Sequence, residues 1–290
     1  MSSKTFYLTK KSNFLTLIMI IVATYFVVPL IWVITASTKN TTDLNSTFGL
    51  WFGKTFHLWS NIKSVFTTDN GIYKEWILNS FVYSIVGAGG AAFLCTLAGY
   101  GFSKYPFAGS KAIFRTVLGA VMIPSAALSI PTFIIFSNLH LVNTRWSVIL
   151  PSLISPLGVY LMKVYSDTSI PNNMIEAARI DGATEFKIFR TISLRLLMPG
   201  FVTVLLLSIV GIWNNFFLPL IMLSTTNLQP LTVGLSIWYG RANSGGSGQA
   251  PDFQAVVVTS AAISLIPLII AFLFLQRYWE NGLSLGAVKE

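Results

Sequence analysis

Three stretches of this 290-residue chain hold side chains whose types and spacing suit them to binding or contact. EAARIDGATEFKIFR, from Glu176 to Arg190, gathers six charged residues (Glu176, Arg179, Asp181, Glu185, Lys187 and Arg190) in a chain only 10% charged. Asn79 beside Ser80, and the run Trp213, Asn214, Asn215, place neutral amides and an indole inside otherwise apolar sequence. Such amides are costly in hydrocarbon unless partners or a wet cavity satisfy them. Amides with aromatic faces suit a sugar ring, hydroxyl by hydroxyl and C–H face by ring; Asn as helix–helix glue is the competing reading. The third stretch is NSGGSGQ: Asn243, Ser244, Gly245, Gly246, Ser247, Gly248 and Gln249. It reads as a slack connector or as a mobile finger that meets something outside.

Catalytic sets are missing from the sequence. No G-x-x-x-x-G-K-[ST] phosphate loop is present, since GKTF at Gly53 and GSKA at Gly109 lack the preceding glycine. His57 and His140 stand apart, with no cysteine or carboxylate at metal spacing. No G-x-S-x-G elbow occurs in a strand–helix context, and the single cysteine, Cys95, sits in an apolar run as a packing residue. The chain reads as a non-enzyme without a catalytic residue, metal or cofactor of its own.

The elements that must position these stretches are membrane helices. The chain is 53% hydrophobic with a mean hydropathy of +0.68, more apolar surface than a soluble core hides. A helix crosses the bilayer with about 20 mostly apolar residues. Six stretches without Asp, Glu, Lys or Arg qualify: Phe14–Ala36, Trp76–Phe102, Thr116–Phe136, Ser147–Met162, Pro199–Leu223 and Phe253–Leu275. Pro151 and Pro156 predict a kink in the fourth. The first follows Lys4, Lys10 and Lys11, but its length and Ile34 ahead of Ala36 favour an uncleaved anchor over a signal peptide. The fold class is therefore all-α, polytopic, with six transmembrane helices.

With the N-terminus inside, thirteen of the 19 basic residues fall on the inner segments. The positive-inside rule then puts both termini, 1–13 and 276–290, and the loop 167–198 in the cytoplasm. The +9 net charge lies between apolar runs, an orienting pattern and not a nucleic-acid patch. Outside, Thr38–Glu75 is long, and its TFGLWFGKTFHLWSNI aromatics suit the membrane surface.

Within the charged stretch, Pro171 with Asn172 and Asn173 starts a helix, Gly182 supplies a joint, and Thr184 caps a second helix that Pro199 and Gly200 end. The result is a helix–Gly–helix elbow. Ala177 and Ala178 are small enough for a close partner, Ile175 and Ile188 offer apolar anchors, and Glu176 offers a charge. A solvated loop with an amphipathic helix lying on the membrane fits the same residues. The absence of charge within the spans weakens an ion-coupled carrier.

At Glu176–Ala178 followed by Gly182, with Pro199 beyond, the sequence resembles the EAA loop of inner-membrane permease subunits of binding-protein-dependent ABC importers. EAARIDGA continuing through IFRTISLRLLMPG is similar to the carbohydrate branch, the maltose-type second permease. NSFVYSIVGA, LAGYGFSKYPFAG, WNNFFLPL and QRYWENGLSLGAVKE agree with it, so the resemblance covers nearly the whole chain. It implies a bacterial cytoplasmic-membrane subunit paired with a second homologous permease. Two cytoplasmic ATPases would bind the ATP and Mg, and an extracytoplasmic solute-binding protein would deliver a sugar. The elbow is then a coupling helix, with Glu176, Ala177, Ala178, Asp181 and Gly182 at the ATPase contact. Asn243–Gln249 aligns with a loop that enters the binding protein, and Gly282–Glu290 with a tail that reaches the ATPases. Two departures stand out. Asn215 replaces the acid of the family's usual WNEF, and Arg195–Leu196 replaces Leu-Pro, which lets the elbow's second helix run on towards Pro199. An importer for a non-sugar solute and a stand-alone secondary transporter are the alternatives.

Overall fold

Almost every residue of α1 (Asn13–Ser37) is apolar, and its side chains are covered by protein only at its last turn, where Thr35, Ala36 and Ser37 are buried. A helix apolar all round and left bare is one whose solvent is lipid. The computed structural model describes residues 13–244 and 253–287, with side chains as far as Gln276. It divides into two units, Met1–Val65 with Trp238–Ile263 and Phe66–Ile237 with Ser264–Glu290. All regular elements among the described residues are helical.

In the first unit, α1 leads to α2 (Thr41–Ser46) and α3 (Leu58–Thr67) through a loop held by buried polar groups. The Asn61 amide donates to the carbonyls of Ser37 (2.9 Å) and Lys39 (2.8 Å). Lys39 Nζ donates to the Phe48 carbonyl at 2.9 Å, and Asp43 Oδ2 accepts the Lys54 amide at 3.0 Å. These bonds satisfy groups that burial would otherwise penalise. They leave Phe48, Trp51, Phe52 and Phe56 exposed on the loop and Trp59 exposed at the start of α3.

Small residues organise the second unit. Along α4 (Tyr73–Lys104), Ala88, Ala91, Ala92, Cys95 and Gly99 are buried, and such a stripe lets helices approach closely in a membrane. A Cβ at Gly99 would lie 2.6 Å from the Lys163 amide nitrogen, and one at Gly158 would lie 2.7 Å from Cys95 Sγ. Both neighbours come from the bundle formed by α4, α8 (Pro156–Ser169) and α11 (Leu194–Trp213).

The apolar run read as a third span, Thr116–Phe136, is not one helix. α5 (Ser110–Val121) and α6 (Ser125–Asn138) meet at 108° across a short break, because Pro124 removes an amide donor and holds the chain extended. The kink expected from Pro151 and Pro156 is a break between α7 (Trp146–Ser152) and α8. Pro156 opens α8, and Ser155 caps it by accepting the Gly158 amide at 3.1 Å. α8 then continues to Ser169, beyond the expected end at Met162.

The second arm of the elbow also differs from expectation. It does not stop at Pro199. α10 (Glu185–Ile188) passes through a π-turn, Phe189–Ser193, into α11, and the span runs as Glu185–Trp213. One proline costs a helix a single donor, which a membrane span accommodates. α12 (Phe217–Met222) follows a break at 214–216, and α13 (Leu231–Asn243) and α14 (Phe253–Ala287) complete the chain.

Candidate functional site

The elbow is built by α9 (Asn172–Ile180), Gly182 and α10. Gly182 adopts φ +75°, the left-handed region open to glycine. Its amide donates to the Arg179 carbonyl and that of Ala183 to the Ala178 carbonyl, both at 3.0 Å, closing the end of α9. Arg179 then clasps Glu185 across the joint, Nε to Oε1 at 2.6 Å and NH2 to Oε2 at 3.3 Å. The Tyr105 hydroxyl donates to the same carboxylate. Burial, then the bond to Glu185, pushes the Tyr105 phenol above its ordinary range, so it stays a donor.

One face of the elbow is fixed to the bundle. Ile175, Ala178 and Ile188 are buried in a single cluster with Ala92, Cys95 and Tyr100 of α4, Met162 of α8 and Leu197 and Val204 of α11. This corrects the reading of Ala178, which is 8% exposed and packs inward; only Ala177 of the pair faces out. The other face carries Glu176, whose carboxylate makes no hydrogen bond or ion pair among the described residues, with Ala177 and Asp181 exposed beside it. Two residues that sequence reasoning missed dominate this face: Ile180, 87% exposed, and Phe186, 72% exposed. The available signal was that both are large and apolar where the amphipathic pattern calls for polar residues.

The amide candidates do not form one site. Asn79 is fully buried, and its side chain is spent on structure. Nδ2 donates to the carbonyls of Asn227 (2.7 Å) and Gln229 (3.1 Å), and Oδ1 accepts from Arg145 (3.2 Å). With Trp76 donating to the Thr226 carbonyl and Tyr83 to that of Leu228, it pins the 226–229 turn to α4. Trp213 is buried edge-on to Phe81, with ring centroids 5.3 Å apart. Asn214 and Asn215 lie past the end of α11 and not inside a continuous span. Asn214 is exposed and donates to the Val210 carbonyl, while the Asn215 carbonyl accepts from Thr232. Asn214 Oδ1 and the Asn215 side chain make no hydrogen bond among the described residues, whereas the Asn79 side chain is fully engaged.

Asn243 ends α13, and Ser244 follows with two bonds to the Gly240 carbonyl. Gly245 to Gln249 lie outside the described residues, as do the side chains of Gly282–Glu290. No group of three metal-ligating side chains occurs among the described residues.

Residues 91–285 match the model of the binding-protein-dependent transport system inner membrane component family. The chain belongs to this family. As a permease subunit it is a multi-pass protein of the inner membrane that works with an ATPase and a solute-binding protein. The subunit is 34% identical to the arabinooligosaccharides transport system permease protein of Bacillus subtilis (strain 168), over 75% of this chain and 74% of that one. It is 30% identical to the melibiose/raffinose/stachyose import permease protein of the same organism, over 97% and 98% of the two chains. Its fold matches a chain of a bacterial ABC transporter involved in the import of the acidic polysaccharide alginate, with a TM-score of 0.80 and 21% identity. That match covers 92% of this chain and 95% of the other.

Proposed function

We propose that this chain is one of two permease subunits of an ATP-driven carbohydrate importer. The elbow, in this reading, docks on a cytoplasmic ATPase. One observation carries it: the elbow is welded through Ile175, Ala178 and Ile188 into α4, α8 and α11, yet presents Glu176, Ile180 and Phe186 unpartnered. A push on the exposed face is therefore delivered to three helices at once, because a packed core does not absorb displacement. The relatives that transport sugars support the carbohydrate class.

ATP and Mg are bound by the two ATPase subunits, and their closure moves the elbow inward. The bundle responds by switching access from the cytoplasmic to the outer side. A sugar delivered by the solute-binding protein then enters, with Asn214 and Asn215 offering amides at the break after α11. Both termini face the cytoplasm, and Asn243–Gln249 reaches towards the binding protein.

Uptake into proteoliposomes tests this. The complex with its second permease and ATPases should import sugar only with ATP on the ATPase side and loaded binding protein opposite. Uptake by this chain alone, driven by an ion gradient, would establish a secondary transporter instead.

A further inference from the structure

Beside the elbow lies a cavity of about 450 Å³ with charged walls, whose lining shares Glu176 alone with the proposed docking face. One wall belongs to the bundle, with Lys104 ending α4, Lys111 in the first turn of α5, and Lys163 on α8. The other belongs to α9, with Asn172, Glu176 and Arg179. Two cations are already neutralised: Lys163 pairs with Asp167 at 2.5 Å, and Arg179 with Glu185. Lys104 bonds only neutral oxygens, the Ile170 carbonyl (2.6 Å) and Asn172 Oδ1 (3.1 Å). The Lys111 ammonium has no hydrogen bond or ion pair among the described residues. Against these two cations stands one free acid, Glu176, so the cavity holds one surplus positive charge.

The floor is aromatic. Phe102 and Phe114 line the cavity with centroids 5.5 Å apart, and Lys163 sits over the Phe114 ring at 5.3 Å. From there α5 leads away with no buried residue, exposing Ile113, Leu118 and Val121. A cavity with charged walls and an aromatic floor, opening onto a bare apolar helix, matches an amphiphile better than a soluble anion.

We propose that this cavity binds the phosphodiester headgroup of an anionic phospholipid of the inner leaflet. A phosphodiester brings one negative charge, equal to the surplus, and its acyl chains have α5 to lie along. Lys111 and Lys104 hold the phosphate from the bundle side, and the Asn172 amide reaches it from the elbow. The lipid thereby bridges the elbow to the bundle and stiffens the lever. The placement of the cavity at the inner leaflet rests on the orientation given under Proposed function.

The test uses the full importer complex, exchanged into nanodiscs of phosphatidylglycerol or phosphatidylcholine and read by native mass spectrometry for retained lipid. Phosphatidylglycerol should be retained and phosphatidylcholine lost. Lys111→Gln should weaken retention about fivefold, the worth of one cation near an anionic headgroup, and Lys111→Arg should restore it. Equal retention by the wild type and Lys111→Gln would overturn the site. Displacement of phosphatidylglycerol by equimolar inorganic phosphate would keep the anion chemistry but overturn the lipid. Retention that appears only after the ATPases are stripped off would place an acidic ATPase side chain in the cavity and overturn it too. Binding-protein-stimulated ATPase activity, assayed in phosphatidylglycerol nanodiscs, reports the coupling reading separately; its absence there with intact phosphatidylglycerol retention would fault that reading alone.

Discussion

Changing Ile180 or Phe186 to aspartate is expected to uncouple transport from ATP hydrolysis while leaving the permease folded and in the membrane. Both side chains stand out from the elbow, at 87% and 72% exposure, so neither contributes to this chain's own core. Large apolar side chains presented to a partner are where binding energy concentrates, at about 2–4 kcal/mol for a central residue. Each variant should therefore lose about thirtyfold or more in ATPase affinity, seen as ATPase subunits washed off during purification and as lost stimulation by the binding protein. The contrast is Ile188→Asp, which buries a charge at a position with no exposure. It should fail at the level of folding, with little protein in the membrane fraction. If Ile180→Asp and Phe186→Asp keep full stimulation, these residues are not the docking face.

A bulky residue at Gly99 is expected to unfold the helix bundle. Its added Cβ would press on backbone of α8, 2.6 Å from the Lys163 amide, and backbone cannot relax by changing rotamer as a side chain does. Gly99→Leu should cost about 3 kcal/mol or more, at the upper end of overpacking penalties. Gly101, two residues along the same helix, has nothing within 4 Å of an added Cβ. Gly101→Leu should leave stability within about 0.5 kcal/mol, the ordinary range where a substitution meets no neighbour. Unfolding in mixed micelles as denaturing detergent rises compares the two. A similar midpoint for both variants would show that α4 and α8 do not depend on the glycine contact.

Much of this architecture was legible because apolar runs of membrane length are a strong signal. What the runs could not carry is direction. Thr116–Phe136 carries no charged residue, and hydropathy does not register that the chain turns by 108° near Pro124. Pro199 misled in the opposite sense, as a terminator inside a helix that continues. The elbow was legible as two helices and a glycine, and even the inward turn of Ala178 was available. Ile175 and Ala178 are three apart and share a helix face, which leaves Ala177 on another. Asn79 was beyond reach of local reasoning, since its partners at Arg145, Asn227 and Gln229 are 66 to 150 residues away. A buried amide reads alike in sequence whether it awaits a sugar or holds a turn.

The central claim, that the exposed face of the elbow sits on an ATPase, is open to one direct measurement. A photo-crosslinking amino acid in place of Phe186, in the assembled importer, should yield an adduct with the ATPase subunit upon illumination. The same group in place of Met122, exposed at the α5–α6 break, should yield none. Adducts from position 186 with lipid or the second permease alone, and none with the ATPase, would contradict the account.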